Sequence, residues 1–169
     1  MSQQKSKAHK NGNDHTAQRA ARLLAVQSVY RAQMNEQPLL SAVQDCLDRP
    51  FIMNEQEEIF EMKPDKPLCA SIIRSLHARQ QEINDIVLES VLSKSKGNQD
   101  DSARVKSLQN DVILFSILLC GATEILAHED IDAPIIVNDY LEITHAFYDT
   151  SESKLVNGVL DAITRKIRA

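Results

Sequence analysis

The stretch that decides the fold lies late in the chain, at residues 154–161, and reads Lys154-Leu155-Val156-Asn157-Gly158-Val159-Leu160-Asp161. An Asn-Gly pair is typical of a hairpin turn, but here no strand pattern flanks it. The pair lies instead inside an apolar repeat with a period of 3.6 residues, formed by Val156, Val159, Leu160, Ile163 and Ile167. This repeat predicts an amphipathic helix.

The glycine inside this helix needs a physical reason, because glycine in a helix interior costs about 1 kcal/mol relative to alanine. We expect Gly158 to permit close approach of another backbone, that of the apolar run 112–126. Asn157 is then expected at a helix–helix contact, where its amide needs a polar partner. Asn138 is the candidate partner, and with Asp161 these residues form a predicted structural motif. A packing role for the motif is favoured over direct ligand binding.

Helical periodicity extends over the rest of the chain. Aromatic residues make up 4% of the sequence, Trp is absent, and only 4 glycines and 5 prolines occur. Strands joined by frequent turns are therefore not indicated. The sequence predicts an all-α fold of about seven helices, over residues 16–34, 38–47, 51–63, 68–93, 104–127, 134–147 and from 151 onward.

The predicted helices form one domain, over residues 15–169. The polar stretch 94–102 is the natural boundary between two subdomains, an N-terminal one over about 15–96 and a C-terminal one over about 103–169. Residues 1–14 have almost no apolar content, and we expect them to be a disordered basic tail.

Charge is distributed unevenly along the chain. Residues 1–35 contain six cations and one acid, whereas the remainder contains 13 cations and 23 acids. A basic leader on an acidic body is a layout used for nucleic-acid contact, and Lys10 is a candidate contact within it. Charge alone favours the simpler interpretation, an ordinary solvated tail. The acidic segment 54–61 is interpreted as a solvated helix face.

No pattern for catalysis is found in the sequence. The four glycines are not clustered into a phosphate-binding loop, and neither an H-E-x-x-H motif nor a Cys/His zinc pattern occurs. The paired acids Asp100-Asp101 and Glu57-Glu58 resemble solvated surface more than a catalytic pair, which needs a dry pocket. We therefore predict a protein that is not an enzyme and that needs no metal and no cofactor.

The cysteines and the hydropathy pattern predict where the protein works. Cys46, Cys69 and Cys120 are widely spaced and odd in number, which indicates buried thiols in a reducing compartment. Residues 1–15 are polar and contain no signal peptide. The longest apolar run, 112–122, has 11 residues, and a bilayer requires about 20. We expect a cytoplasmic protein without a membrane segment.

Several segments together carry a family resemblance. They are Ile117-Leu118-Leu119-Cys120-Gly121-Ala122-Thr123-Glu124-Ile125-Leu126, Val137-Asn138-Asp139-Tyr140-Leu141-Glu142, Phe147 and the opening stretch 154–161. In order and spacing they resemble the NusB family of bacterial transcription antitermination factors. Near the other end, the segment from Arg19 to Tyr30 resembles the arginine-rich first helix of that family. Residues 36–110 match only in helical layout.

The resemblance implies an all-helical fold of two small bundles and a role beside RNA polymerase. It implies pairing with the ribosomal protein NusE and binding of the single-stranded boxA sequence in ribosomal RNA leader transcripts. The family's RNA surface carries over to Arg19 and Arg22 on the first helix and to Ser151 and Lys154 at the start of the last. We expect alanine at Arg19 and Arg22 to weaken RNA binding without unfolding the protein.

Some positions depart from the family pattern. Ala20 and Ala21 stand in a helix where many relatives have more arginines, Leu119 stands where relatives often have Arg, and Thr123 where they often have Tyr. Leu155 stands where some relatives have Phe, an aromatic that could stack on a base. The fold should tolerate these changes, whereas RNA affinity should be lower or depend more on the partner protein or the basic tail.

Two other functions are compatible with the same residues. One is the RNA-recognition domain of a ribosomal RNA cytosine methyltransferase, which carries a NusB-like domain; the absence of a catalytic domain after Ala169 argues against it. The other is a helical scaffold that keeps protein contacts and has lost RNA binding. Bundles of this kind form monomers or dimers, so a homodimer is one expected state.

Overall fold

The computed structural model describes residues 3–48, 52–53, 59–60, 63–94 and 100–168, with the backbone alone for 3–14, 52–53 and 59–60. These residues form eight helices, which confirms the all-α class. The helices are α1 Gln3–Met34, α2 Ser41–Asp48, α3 Lys66–Ala78, α4 Gln80–Ser93, α5 Asp101–Asn110, α6 Val112–Ala127, α7 Ala133–Phe147 and α8 Thr150–Ile167. The strands β1 Ile52–Met53 and β2 Ile59–Phe60 form an antiparallel pair.

Helix α6 occupies the centre of the molecule. Every residue from 116 to 126 is buried, and the helix contacts α1, α3, α4, α5, α7 and α8. Its hydroxyl groups are satisfied within the helix, because Ser116 donates to the Val112 carbonyl and Thr123 to the Leu119 carbonyl. The buried apolar side chains around α6 form one continuous hydrophobic core, to which both halves of the chain contribute.

Two predicted helices are each divided in the structure. The predicted helix 68–93 is interrupted at Arg79, whose φ and ψ of −123° and 27° are not helical. The predicted helix 104–127 is interrupted at Asp111, and the axes of α5 and α6 differ by 95°. The Asp111 carboxylate accepts from the Leu114 N–H at 3.2 Å and so caps α6. The sequence predicted one continuous helix because the spacing of its apolar residues continues across Asp111.

Two further segments differ from their predictions. The predicted acidic helix over 51–63 is wrong at residues 52–53 and 59–60, which pair as strands instead; the rest of 51–62 lies outside the described residues. The first helix begins at Gln3, whereas a disordered tail was expected over 1–14. Residues 3–16 contain no proline, and their one glycine, Gly12, disfavours a helix by only about 1 kcal/mol.

The close approach between helices uses a different glycine from the one predicted. A Cβ atom on Gly121 of α6 would lie 3.0 Å from both Cδ atoms of Leu160 on α8. A Cβ atom on Gly158 would meet the Lys94 side chain at 3.6 Å, an ordinary van der Waals distance. The expectation that Gly158 faces α6 is therefore wrong, and Gly121 allows these two helices to pack closely.

The predicted pairing of Asn157 with Asn138 is also wrong. Both side chains are exposed, because the buried positions of α8 are 153, 156, 159, 160 and 163, and position 157 falls outside this stripe. Asn138 and Asp161 instead line a cleft of about 310 Å³ between α7 and α8. Asp161 also forms an ion pair with Arg165 one turn later.

Two of the three cysteines meet in the core. Cys46 on α2 is paired with Cys69 on α3, with Cα atoms 6.7 Å apart, while Cys120 is free and buried. Three separate thiols were expected, because a spacing of 23 residues gives no indication that α2 and α3 pack against each other. Burial raises the pKa of the Cys120 thiol, which keeps it protonated.

No single helix among the described residues has the length and hydropathy to cross a membrane. Helices α5 and α6 meet that test only when they are taken together, as a pair bent by 95°.

Candidate nucleic-acid interface

Arg19 lies on α1 and remains partly at the surface, with 40% of its side chain exposed. Its Nε donates to Asp139 Oδ1 on α7 at 3.1 Å, and a terminal nitrogen lies 3.3 Å from His15 Nε2, one turn earlier. The Asp139 contact fixes the guanidinium on one side and leaves the rest of it at the surface. A guanidinium held in this way can contact a phosphate.

Arg22 is completely buried, with 0% of its side chain exposed. Its Nε and one terminal nitrogen donate to Glu124 at 2.7 and 3.1 Å, and the other terminal nitrogen donates to Asp139 at 2.9 Å. The predicted RNA contact at Arg22 is therefore corrected, because a guanidinium enclosed by two carboxylates cannot reach a phosphate. Its role is to neutralise the two buried acids.

Glu124 is the centre of a hydrogen-bond network inside the protein. It accepts from Arg22, from the Tyr140 hydroxyl at 2.8 Å, and lies 3.1 Å from His128 Nδ1. Burial alone would raise the pKa of the Glu124 carboxyl, but the bonds from His128 and Arg22 outweigh it and hold that pKa below its ordinary value. The network continues to Ser71, whose hydroxyl lies 3.0 Å from His128 Nε2.

This network was not predicted, although the sequence contained a signal for it. Glu124 is the single charged residue in the apolar helix α6, and a buried acid requires a partner. The sequence did not indicate which cation that partner is, because Arg22 lies on a helix that is distant along the chain.

The start of α8 presents the other predicted RNA contacts. Ser151 and Lys154 are both exposed, and the Ser151 hydroxyl donates to Glu152 at 2.8 Å. The structure brings these two together on one helix and places Arg19 elsewhere, against α7. The side chain of Lys10 lies outside the described residues.

A cleft opens beside Ser151, where α5, the start of α6 and the start of α8 meet. Its volume is about 370 Å³, and we refer to it as the α5–α8 cleft. Arg104 of α5 lines it together with Ser151 and Leu155 of α8. No sequence pattern indicated Arg104, because it lies in a polar segment with weak helical periodicity.

The described side chains give no sign of a metal centre. Among them, no group of three or more His, Cys, Asp or Glu residues is placed to hold a metal ion.

Comparison with known proteins supplies the family. The model of the NusB family matches residues 19–165. The chain is 31% identical over 152 residues to transcription antitermination protein NusB of Novosphingobium aromaticivorans, covering 90% of this chain and 95% of that relative. It is 34% identical over 149 residues to the protein of the same name in Rhizobium rhizogenes, covering 88% and 86%.

A solved structure agrees with the fold. The structure of T. maritima NusB matches with a TM-score of 0.60 and 18% sequence identity, covering 88% of this chain and 90% of that chain. At this identity the likeness concerns the arrangement of helices.

Proposed function

The chain belongs to the NusB family, and we propose that it acts in the cytoplasm as an RNA-binding transcription antitermination factor. The family match over residues 19–165 carries this proposal. The curated relatives described above are named as antitermination proteins. The proposed activity is therefore binding, without a catalysed reaction.

The proposed ligand is a boxA-type single-stranded RNA from ribosomal RNA leader transcripts. We propose that the protein binds it together with the ribosomal protein NusE, within the RNA polymerase antitermination complex. Half-exposed Arg19 and exposed Lys154 support this proposal, because cations at the surface can replace the counterions of RNA phosphates. Ser151 and Lys10 remain proposed contacts, and Arg22 is no longer one.

The names and coverage of the relatives favour an antitermination factor over the RNA-recognition domain of a methyltransferase. The chain spans 95% and 86% of two relatives that are themselves antitermination proteins. The scaffold alternative differs from the proposal only in RNA binding, so a binding measurement separates the two.

The test is a titration of boxA-type RNA into the protein, with and without NusE, at about 50 and 200 mM salt. We expect NusE to tighten binding and added salt to weaken it. For single strands, log K falls with log salt by about 0.7 for each phosphate neutralised. Lys154→Ala should therefore lower the slope by about 0.7, whereas Lys166→Ala at the other end of α8 should leave it unchanged.

Absence of RNA binding in all conditions, with NusE still associating, would establish the scaffold function instead. The proposed homodimer is checked separately by sedimentation equilibrium of the free protein. A single species with the mass of one chain at all concentrations would contradict it.

A further inference from the structure

The α5–α8 cleft has an apolar floor and a polar rim. Leu108, Leu114 and Leu155 supply the floor, from three different helices. Its volume of about 370 Å³ lies within the range of about 300–1,000 Å³ that small-molecule sites occupy. A flat apolar group can therefore enter the cleft and pack against these leucine side chains.

The rim offers both hydrogen-bond donors and acceptors. Arg104 donates, Glu152 and Asp111 accept, and the Ser107 hydroxyl can do either. Two carboxylates beside one guanidinium repel an anion, so a phosphate is a poor occupant of the cleft. A neutral planar ring with donors and acceptors on its edge matches this rim better.

Arg104 is available for such a ligand. The described residues give its side chain neither a hydrogen bond nor an ion pair, unlike Arg79 and Arg165, which pair with neighbouring acids. A guanidinium plane stacks on nucleobases as aromatic rings do. Arg104 thus offers a stacking surface next to Leu155, the position where an aromatic side chain is missing.

Two lysines lie next to the cleft, where they can hold the strand that carries the base. Lys154 is exposed one turn after Ser151. The side chain of Lys94 lies against Gly158, one further turn along α8, since a Cβ on Gly158 would be 3.6 Å from Lys94 Cε. The described residues give neither lysine an ion pair, so both ammonium groups are available to phosphates.

We propose that the α5–α8 cleft binds one nucleobase of the single-stranded RNA, with Arg104 stacking on the base and Lys94 and Lys154 contacting the adjoining phosphates. This inference rests on the proposed RNA-binding function. It assigns base recognition to α5, a helix in the part of the chain where the family resemblance covers only helical layout.

The test compares Arg104→Ala with Lys106→Ala in RNA titrations. Lys106 is an exposed cation two residues further along α5 and outside the cleft. Its replacement removes the same charge as Arg104→Ala and leaves the cleft intact. We expect Arg104→Ala to raise Kd about five- to hundredfold, the effect of losing one stacked base, with no change in the salt slope. Lys106→Ala should have little effect, and thermal unfolding should be unchanged in both.

RNAs with a single abasic position identify the base. In the wild-type protein one abasic position should weaken binding, and in Arg104→Ala that same position should have no further effect. If Arg104→Ala lowers the salt slope and shows no such coupling, Arg104 contacts a phosphate and the proposal is wrong. If Lys154→Ala weakens binding but Arg104→Ala and the abasic RNAs do not, the proposed function stands and this inference fails.

A second measurement examines the cleft without RNA binding. Uridine, cytidine, adenosine and guanosine are titrated against the methyl resonances of Leu108 and Leu155. Shifts that Arg104→Ala abolishes support a base site even if the RNA titration fails. The absence of shifts overturns the proposal, as do shifts of the same methyl groups on addition of NusE alone, which would make the cleft a protein interface.

Discussion

Arg19 and Arg22 are three residues apart on α1 and both contact Asp139, yet they are buried to very different extents. Arg19 keeps 40% of its side chain exposed, while Arg22 has none exposed and contacts two buried carboxylates. The sequence predicted the same role for both. Three residues along a helix place two side chains about 60° apart around its axis and about 4.5 Å apart along it, and this offset is enough to carry one arginine into the core.

The two arginines should therefore behave differently when they are replaced. Arg22→Ala leaves the buried Glu124 without its arginine and Asp139 with only the partly exposed Arg19, and should lower the free energy of unfolding by about 3–5 kcal/mol. Arg19→Ala should change it by less than about 1 kcal/mol, because its ion pair is partly solvated. Urea unfolding of both variants measures this difference.

RNA titration provides the complementary measurement for the same pair. Arg19→Ala should weaken RNA binding while the protein remains folded. A stable Arg22→Ala variant with reduced RNA affinity would contradict the assignment of Arg22 to the core and restore the original prediction.

Helices α6 and α8 pack closely at Gly121 and Leu160. Both helices contain an interior glycine, and the sequence pattern gave the packing role to Gly158. The backbone positions show that Gly121 is the crowded one, because Leu160 is fully buried and lies 3.0 Å from its missing Cβ. A glycine's neighbour across a helix contact depends on the rotation of both helices, which no local pattern specifies.

Alanine substitutions at the two glycines should have opposite effects. Gly121→Ala should lower the free energy of unfolding by about 1–2 kcal/mol, since overpacking costs about 1–3 kcal/mol and the gain in helix propensity offsets part of it. Gly158→Ala should be neutral or stabilising by up to about 1 kcal/mol. Thermal and urea unfolding measure both changes.

A rescue experiment tests the cause of the Gly121 effect. Leu160→Val in the Gly121→Ala background should recover part of the lost stability, because it removes atoms near the new methyl group. If Gly158→Ala proves the more destabilising of the two, the predicted approach of α6 at Gly158 would be correct after all.

At the scale of the whole molecule, the buried charge network joins helices that are distant in sequence. Arg22 of α1, Glu124 of α6 and Asp139 of α7 lie in contact, and His128 extends the network to Ser71 of α3. Asp139, which is held by Arg22, also accepts a hydrogen bond from Arg19 and so positions the Arg19 side chain. Arg19, the proposed RNA contact on α1, is thus held by the same groups that stabilise the core.

The network should make stability depend on pH in the acid range. Because the folded-state pKa of Glu124 lies below its ordinary value of 4.5, its stabilising contribution is complete above pH 4.5. It is lost as the pH falls through the lowered folded-state pKa. Urea unfolding between pH 7 and pH 3 should show this decline.

Glu124→Gln and Glu82→Gln provide the comparison for this prediction. In that range Glu124→Gln should reduce the slope of stability against pH by up to about 1.4 kcal/mol per pH unit. A hydrogen bond from Arg79 also lowers the pKa of Glu82, but its carboxylate is solvated, so its replacement should change the slope little. Equal slopes in the wild type and Glu124→Gln would contradict the role of Glu124.

The sequence by itself determined the helical class and the apolar stripe of α8, because each follows from the spacing of apolar residues along one helix. The residues of the family pattern were also available from the sequence alone. The exposure of Ser151 and Lys154 could also be predicted, since both positions fall outside the apolar stripe of their own helix.

Only the tertiary structure decided the rest. The burial of Arg22, the crowding at Gly121, the pairing of Cys46 with Cys69 and the place of Arg104 in a cleft each depend on how two or more helices are rotated and packed. The period along one helix specifies which face is apolar. It does not specify which residue of another helix meets that face, because that choice is made by the packing of the whole core.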